Sequence, residues 1–192
     1  MEHNGKLIIF SAPSGSGKTT IVHRLLSDFP QLKFSVSATS RAMRPGEQDG
    51  KDYHFLSVEE FKRYRDQDKF LEWEEVYANQ FYGTLMSEVE KIWNAGGHVV
   101  FDVDVKGGLN IKRKFPERTL AVFVAPPSLQ ELENRLRKRG TETEESLKKR
   151  VGKAEEEMKS APLFDRIVVN DDLQQAIDET RRLVEAFLAQ EL

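Results

Sequence analysis

A short apolar run followed by a glycine-rich loop opens this chain of 192 residues. Residues 7–10 form an uninterrupted apolar segment, which is typical of a strand buried on both faces. After Gly17 the apolar residues recur at helical spacing until Pro30 ends the pattern. The order of strand, loop and helix predicts the first unit of a parallel sheet, because parallel strands need a crossover helix.

Apolar strands alternate with helices at both ends of the chain. Further strands are predicted at 99–105, 120–125 and 166–169, and a last helix at 173–192. This alternation predicts an α/β fold with a mainly parallel sheet flanked by helices. The middle of the chain has shorter and more polar strands. We expect it to be an inserted small α+β subdomain at 35–95, within a core of 1–34 and 96–192.

Local signals divide the middle and the end of the chain further. Ser57 with Glu60, Ser87 with Glu90 and Ser128 with Glu131 have capping-box spacing, and each predicts a helix start. The other predicted elements are strands at 33–39, 53–56 and 70–77, loops or turns at 41–52 and 79–83, and a charged helix at 141–160.

Composition excludes several classes of function. Lys and Arg number 29 against 32 Asp and Glu, and the resulting net charge of −3 argues against a general nucleic-acid binder. The absence of cysteine excludes disulfides, thiolate metal sites and a cysteine nucleophile. No apolar run approaches the roughly 20 residues that span a bilayer, and the N-terminal residues lack a signal-peptide core. We therefore expect a cytoplasmic protein without membrane partners, and the sequence favours neither a monomer nor a homo-oligomer.

The segment after the first strand matches the phosphate-binding P-loop at every position but its first. It reads Ala12-Pro13-Ser14-Gly15-Ser16-Gly17-Lys18-Thr19, with Ala12 where the motif has glycine. Glycines let backbone N–H groups surround phosphate oxygens, and the following helix adds the partial charge of its N-terminus. We expect Lys18 to reach the β- and γ-phosphates and Thr19 to bind Mg²⁺. The alternative is a Ser/Gly turn that happens to precede Lys-Thr.

Several short motifs resemble the signature of guanylate kinases. They occur in the family's order from about residue 7 to residue 172. The motifs are Ser35-Val36-Ser37-Ala38-Thr39-Ser40-Arg41-Ala42-Met43-Arg44-Pro45-Gly46-Glu47, Gly50-Lys51-Asp52-Tyr53, Phe70-Leu71-Glu72-Trp73, Phe81-Tyr82-Gly83-Thr84, Asp102-Val103-Asp104 and Arg139-Gly140-Thr141-Glu142. The resemblance implies a P-loop nucleoside monophosphate kinase fold, with phosphoryl transfer from ATP to GMP and Mg²⁺ as cofactor.

The resemblance also implies roles for individual positions. The ATP-binding positions are Ala12, Pro13, Ser14, Gly15, Ser16, Gly17, Lys18, Thr19, Thr20, Arg139 and Asn170. The positions that bind the phosphate of GMP are Arg41, Arg44, Tyr53 and Tyr82. Those that bind its base are Ser37, Glu72, Thr84 and Asp104. Many members of the family have serine where this chain has Thr84, so the hydroxyl is kept. The cations expected to take part in catalysis are Lys18, Arg41, Arg44, Arg139 and Arg150.

The residue types suit these roles on chemical grounds. Arginines and tyrosine hydroxyls can donate charge-assisted hydrogen bonds to a phosphate dianion. Ionised carboxylates only accept hydrogen bonds, so Glu72 and Asp104 match the adjacent N1–H and 2-amino donors of guanine. A solvated surface carboxylate is the alternative for Glu72. For Arg41 and Arg44 the alternative is ordinary surface charge.

Asp102 and Asp104 alternate with valine in a predicted strand, so we expect both on one face near its carboxyl end. Asp102 is then expected in the outer coordination sphere of Mg²⁺. Residues 135–160 are expected to form a helical lid. Four of its other cations, which we expect to be solvated, are Arg135, Arg137, Lys148 and Lys149.

Two other functions stay open. One is a non-catalytic guanylate-kinase-like interaction module, against which Lys18 and Thr19 argue because such modules lack a working P-loop. The other is a P-loop kinase for another small phosphate ester, against which Glu72 and Asp104 argue.

Overall fold

The computed structural model describes residues 5–138 and 143–190. In chain order its helices and strands are β1 (Leu7–Ser11), α1 (Lys18–Asp28), β2 (Leu32–Phe34), β3 (Ala38–Thr39), β4 (His54–Phe55), α2 (Val58–Asp66), β5 (Phe70–Tyr77), β6 (Gln80–Leu85), α3 (Met86–Asn94), β7 (His98–Asp102), α4 (Val105–Lys114), β8 (Thr119–Ala125), α5 (Leu129–Lys138), α6 (Glu144–Lys159), β9 (Arg166–Val169) and α7 (Leu173–Leu188).

The described chain divides into two compact units. We call Leu7–Pro30 with residues 101–190 the P-loop unit, and Gln31–Val100 with residues 5–6 the middle unit. The predicted division into a core and a 35–95 insertion remains a prediction.

A parallel sheet carries the P-loop. Its strand order is β2-β7-β1-β8-β9, and the pairs β1–β8, β8–β9 and β2–β7 are parallel. Every residue of β1 and β8 is buried, which explains why these strands are continuous apolar runs. The predicted α/β fold with a mainly parallel sheet flanked by helices is confirmed.

The middle unit contains a second, mixed sheet with the order β4-β3-β6-β5. Its core is a cluster of Ala38, Phe61, Phe70 and Phe81, in which Phe61 stacks on Phe70 with ring centroids 4.3 Å apart. Helix α2 begins with the predicted capping box, because the Ser57 side chain accepts from the Glu60 N–H and the Glu60 carboxylate accepts in return.

Three sequence predictions in the middle unit are wrong. Residues 79–83 were predicted as a turn, but β6 starts at Gln80, and the turn is confined to the two preceding residues. Asn79 adopts φ 60°, a left-handed conformation that asparagine tolerates. Helix α3 starts at Met86, so Ser87 lies inside it and caps nothing. The predicted strand 33–39 is two short strands, β2 and β3, in different sheets.

Helix α4 was not predicted, and the strand before it was predicted to be too long. Strand β7 ends at Asp102, and Asp104 is the N-cap of α4, where its carboxylate accepts from the Gly107 N–H at 2.7 Å. Asp102 and Asp104 therefore do not share one face of a strand. None of the helices within the described ranges is long and apolar enough to cross a membrane.

Candidate nucleotide-binding sites

Two glycines give the loop between β1 and α1 its shape. Gly15 has φ 97° and Gly17 has φ 86°, a region that L-residues with side chains rarely adopt. Gly17 is also the N-cap of α1, so this helix begins at Lys18. Among the described residues, Asp68 and Asn79 are the non-glycine residues with positive φ, so Ala12 needs no glycine conformation.

The loop lines a cavity of about 400 Å³ in the P-loop unit. This volume lies within the usual range for ligand sites, about 300–1,000 Å³. The structure brings nine of the predicted ATP-binding residues, 12–20, to one wall of this cavity. Its other walls are Asp102, Val103, Asp104, Arg150, Lys153 and Glu157. The Ser16 hydroxyl in the loop is buried without a hydrogen-bond partner among the described residues.

Lys18 and Asp102 form an ion pair within this cavity, with side chains 17% and 25% exposed. Thr19, on the first turn of α1, contributes a hydroxyl to the same cavity. Mg²⁺ binds hard oxygen ligands and usually keeps several waters and substrate phosphates in its shell. One hydroxyl and one carboxylate fit this pattern. Within the described ranges, no group of three or more His, Asp or Glu side chains could hold a metal ion by itself.

Asn170 holds the P-loop backbone. Its side-chain amide is buried and donates to the Ser16 carbonyl at 2.7 Å. A Cβ on Gly17 would lie 2.2 Å from the Asn170 Nδ2 atom, so the contact depends on glycine at this position. The amide of Asn170, which we predicted to bind ATP, therefore supports the loop that lines the cavity.

Arg135 connects helix α5 to this support. It donates from Nη1 to the Asn170 carbonyl at 3.0 Å and from Nε to Glu131 at 3.0 Å. Its side chain is only 24% exposed. The expectation that Arg135 is simply solvated is therefore wrong.

Helix α6 presents a charged face to the cavity. Arg150 donates to the Ser14 hydroxyl at 3.2 Å, while Lys153 and Glu157 line the cavity one and two turns further on. Burial raises the pKa of Glu157, and Lys153 at 3.6 Å opposes this shift. The sequence analysis did not identify Lys153 and Glu157 as cavity residues, although their helical spacing from Arg150 indicates that they share one face of the helix with it. Arg139 lies outside the described residues.

Asp104 lies with the P-loop residues. It lines their cavity from the start of α4, and its backbone carbonyl accepts from the Ser11 hydroxyl at 3.1 Å. The other predicted guanine-binding residues, Ser37, Glu72 and Thr84, belong to the middle unit.

The middle unit brings Arg41, Tyr53 and Tyr82 together. The Arg41 guanidinium lies over the Tyr53 ring at 5.0 Å, and the two tyrosine rings pack edge to face with centroids 6.0 Å apart. Burial is the main cause that raises the pKa of Tyr53. Arg44 is exposed on the loop that follows Arg41. The structure thus gathers two hydroxyls around one arginine, with a second arginine three residues away.

Glu72 and Thr84 form a buried polar pair. They face each other on the antiparallel strands β5 and β6, and the Thr84 hydroxyl donates to Glu72 Oε1 at 2.9 Å. Glu72 is 9% exposed and Thr84 is fully buried. Glu72 is therefore not a solvated surface carboxylate. Ser37 is half-buried before β3, and its carbonyl accepts from the His54 N–H.

A glycine-shaped loop at the carboxyl end of a buried parallel strand, followed by Lys18 at a helix start, defines a P-loop nucleotide-binding protein. A family model described as guanylate kinase matches residues 4–187. The chain belongs to the guanylate kinase family.

Individual relatives agree with the family match. The chain is 55% identical to the guanylate kinase of Salinibacter ruber, covering 95% of this chain and 97% of the relative. It is 52% identical to that of Porphyromonas gingivalis, with 96% and 98% covered. Among solved structures, guanylate kinase from Anaplasma phagocytophilum superposes with a TM-score of 0.76 at 27% identity, covering 99% of this chain and 89% of that one.

Proposed function

We propose that this protein transfers the γ-phosphoryl group of ATP to a phosphate oxygen of GMP, giving ADP and GDP, and that dGMP is also an acceptor. Family membership supports the reaction. Residues 35–95 would be the GMP-binding subdomain, residues 135–160 the lid, and the remaining chain the ATP-binding core.

The donor triphosphate would lie in the P-loop cavity. The backbone N–H groups of residues 12–20 and the N-terminus of α1 would bind its phosphate oxygens. Lys18 would leave its ion pair with Asp102 and bind the β- and γ-phosphates instead. Thr19 would bind Mg²⁺ directly, and Asp102 would bind it through water. When bound, this ion neutralises charge on the β- and γ-phosphate oxygens.

The acceptor phosphate would be bound by Arg41, Arg44, Tyr53 and Tyr82. Because this phosphate oxygen is already anionic, transfer needs no general base. Catalysis then consists of positioning and of charge stabilisation by Lys18 and the four arginines Arg41, Arg44, Arg139 and Arg150. Arg150, which already contacts the P-loop at Ser14, would move with the lid and help to exclude water.

The single observation that carries the choice of acceptor is the buried Glu72–Thr84 pair. A carboxylate can only accept, so Glu72 would bind the N1–H and 2-amino donors of guanine. Ser37 would donate to O6, and Thr84 would turn its single hydroxyl hydrogen from Glu72 to O6. Asp104 would complete the set of acceptors. Adenine has an acceptor at N1 and no 2-amino group, so it would bring no donor to the Glu72 carboxylate and would face it with a lone pair.

A coupled assay of ADP formation with GMP, dGMP, AMP and UMP tests this function. We expect turnover with GMP and dGMP, and a preference over AMP of at least about 10³-fold, since sites built on hydrogen bonds discriminate strongly. No turnover with any acceptor would favour the interaction module, and a preference for AMP or UMP would favour another phosphate-ester kinase.

The substrates proposed here are free nucleotides, so the proposal includes no nucleic-acid or membrane partner. The cytoplasmic location expected from the sequence is part of the same proposal.

A further inference from the structure

Glu47 binds the guanidinium of Arg41 with both carboxylate oxygens. Oε2 lies 2.7 Å from Nη1 and Oε1 lies 2.6 Å from Nη2, so the pair is bidentate. Nη1 also donates to the Ala42 carbonyl at 2.9 Å. The two side chains are only 9% and 19% exposed, so this ion pair is better shielded from water than an ordinary surface pair.

Two aromatic rings also lie against the same guanidinium. Arg41 lies 5.0 Å from the Tyr53 ring centroid and 5.5 Å from that of Phe55. The bidentate carboxylate and the two rings together restrict both the position and the orientation of the group. The Arg41 side chain is therefore ordered by the protein's own groups, which lowers the entropy cost of binding a ligand there.

The bonds to Glu47 use one particular edge of the guanidinium. They engage the Nη1 and Nη2 atoms at its tip, and the bond to Ala42 takes the other Nη1 hydrogen. The remaining edge pairs Nε–H with the second Nη2 hydrogen. Such an edge matches two oxygens of a phosphate group in a bidentate bond. Glu47 thus takes the Nη1–Nη2 edge, so an anion would have to approach the Nε–Nη2 edge of a guanidinium that the Tyr53 and Tyr82 hydroxyls also contact.

The same carboxylate also organises the loop that carries the second arginine. Glu47 Oε2 accepts from the Arg44 backbone N–H at 2.8 Å. The hydrogen bonds from Arg41 and Arg44 lower the pKa of Glu47 to about 2, so it is ionised throughout the neutral range. One anionic side chain therefore fixes the Arg41 side chain and the Arg44 backbone together.

We propose that Glu47 is a positioning residue for the acceptor phosphate, acting through Arg41 and not by touching the substrate. The inference rests on the function proposed above, in which Arg41 binds the phosphate of GMP. The roles proposed above for the P-loop and for the Glu72–Thr84 pair do not involve Glu47.

The proposal and simple electrostatics predict opposite changes in GMP affinity when Glu47 is neutralised. An anion near the binding site repels the GMP dianion, so neutralising Glu47 would tighten GMP binding if long-range charge decided the outcome. If orientation of Arg41 decides it, the same substitution weakens binding. Glu47→Gln keeps the size of the side chain but turns an amide N–H₂ toward the donors of Arg41, so the bidentate pair is lost.

The first test compares Glu47→Gln with a matched variant of the same loop. We expect Glu47→Gln to raise the GMP KM and Kd by about tenfold or more, as for loss of a charged hydrogen bond, with an unchanged ATP KM. Asp52→Asn is the control, because Asp52 accepts from the Gln48 N–H in this loop and makes no ion pair with Arg41. It should change either constant less than about twofold. Unchanged or tighter GMP binding by Glu47→Gln would overturn the proposal.

A double-mutant cycle separates positioning from a general effect on the loop. In an Arg41→Ala background, we expect Glu47→Gln to change the GMP Kd by less than about twofold. Its effect passes through Arg41, while the glutamine amide oxygen can still accept from the Arg44 N–H. Arg41→Met, which keeps a long side chain without a charge or a donor, serves as the background if the alanine variant does not fold. A full additional loss in that background would contradict the proposal. A wild-type enzyme that binds GMP but does not phosphorylate it would instead refute the proposed function.

Discussion

The P-loop and the group of Arg41, Arg44, Tyr53 and Tyr82, which we call the Arg41 cluster, are both proposed to hold phosphate, yet they are built differently. The P-loop is a contiguous segment whose backbone conformation, with Gly15 and Gly17 at positive φ, creates the cradle. The Arg41 cluster consists of side chains from the segment before β4 and from strand β6, ordered by ring packing and by Glu47. A backbone site depends on glycine and on local geometry, whereas a side-chain site depends on partners distant in sequence.

The largest expected effect comes from Lys18, the cation of the P-loop segment 12–20. Lys18→Ala should lower kcat by roughly 10²-fold or more, judged from the loss of one preorganised donor that stabilises transition-state charge. ADP production at saturating substrates is the measurement. Lys33→Ala, on the exposed side of β2, should leave kcat unchanged. Near-normal turnover by Lys18→Ala would remove Lys18 from the mechanism.

The middle unit should lose its specificity for guanine when the buried acceptor Glu72 is changed. Glu72→Gln should reduce kcat/KM for GMP by about 10- to 100-fold, since charged hydrogen bonds contribute about 1.5–3 kcal/mol each. The ATP KM should stay constant. The exposed carboxylate of Glu59 provides the control, as Glu59→Gln. A loss of ATP affinity in place of GMP affinity would show that Glu72 has been assigned to the wrong nucleotide.

A smaller effect is expected from a pair of glycine substitutions, which together distinguish backbone strain from the steric contact between Gly17 and Asn170. Gly17→Ala should raise the ATP KM about tenfold, because its Cβ would displace the Asn170 amide from Ser16. Gly96→Ala is matched to it, since Gly96 has φ +76° and no atom within 4 Å of its Cβ position. Both variants should lower Tm by a few degrees through strain of about 1–3 kcal/mol. Equal ATP KM values for both would argue against the Asn170 contact.

The smallest expected effect concerns the carboxylate that orders the side-chain site. The pKa of Glu47 is lowered from its usual value near 4.5 to about 2. A depressed pKa contributes stability that is present above pH 4.5 and lost as the pH falls to about 2. The stability advantage of the wild type over Glu47→Gln should therefore shrink between pH 5 and pH 2, as measured by urea unfolding. A constant difference across that range would refute the ion pair.

The features that the sequence predicted correctly are determined by residues close together in the chain. The buried strands, the P-loop and the α2 capping box each depend on neighbouring residues. Helix α4 was missed because Gly107 and Gly108 weaken its helical pattern. Gly108 is needed for close packing, as its Cβ would lie 2.9 Å from side-chain atoms of Ile9 and Ser11. The sequence pattern shows the two glycines but not the residues that pack against them.

The parts of the sites that were missed depend on tertiary contacts. The support of Ser16 by Asn170 joins residues 154 positions apart. Glu47 lay within the recognised motif, but its bidentate bond to Arg41 depends on the course of the loop. Asp104 was placed on a strand, because alternation with valine does not reveal that the strand ends at Asp102 and a helix begins. Contacts of this kind follow from chain geometry that periodicity does not encode.

A crystal structure with GMP and a non-hydrolysable ATP analogue would test the division between the two sites most directly. We predict the analogue's phosphates on residues 12–20, the GMP phosphate on Arg41 and Tyr53, and the guanine donors within hydrogen-bond distance of Glu72, about 2.7–3.2 Å. A monophosphate whose base lies away from Glu72 and Thr84, or whose phosphate does not touch Arg41, would contradict the account.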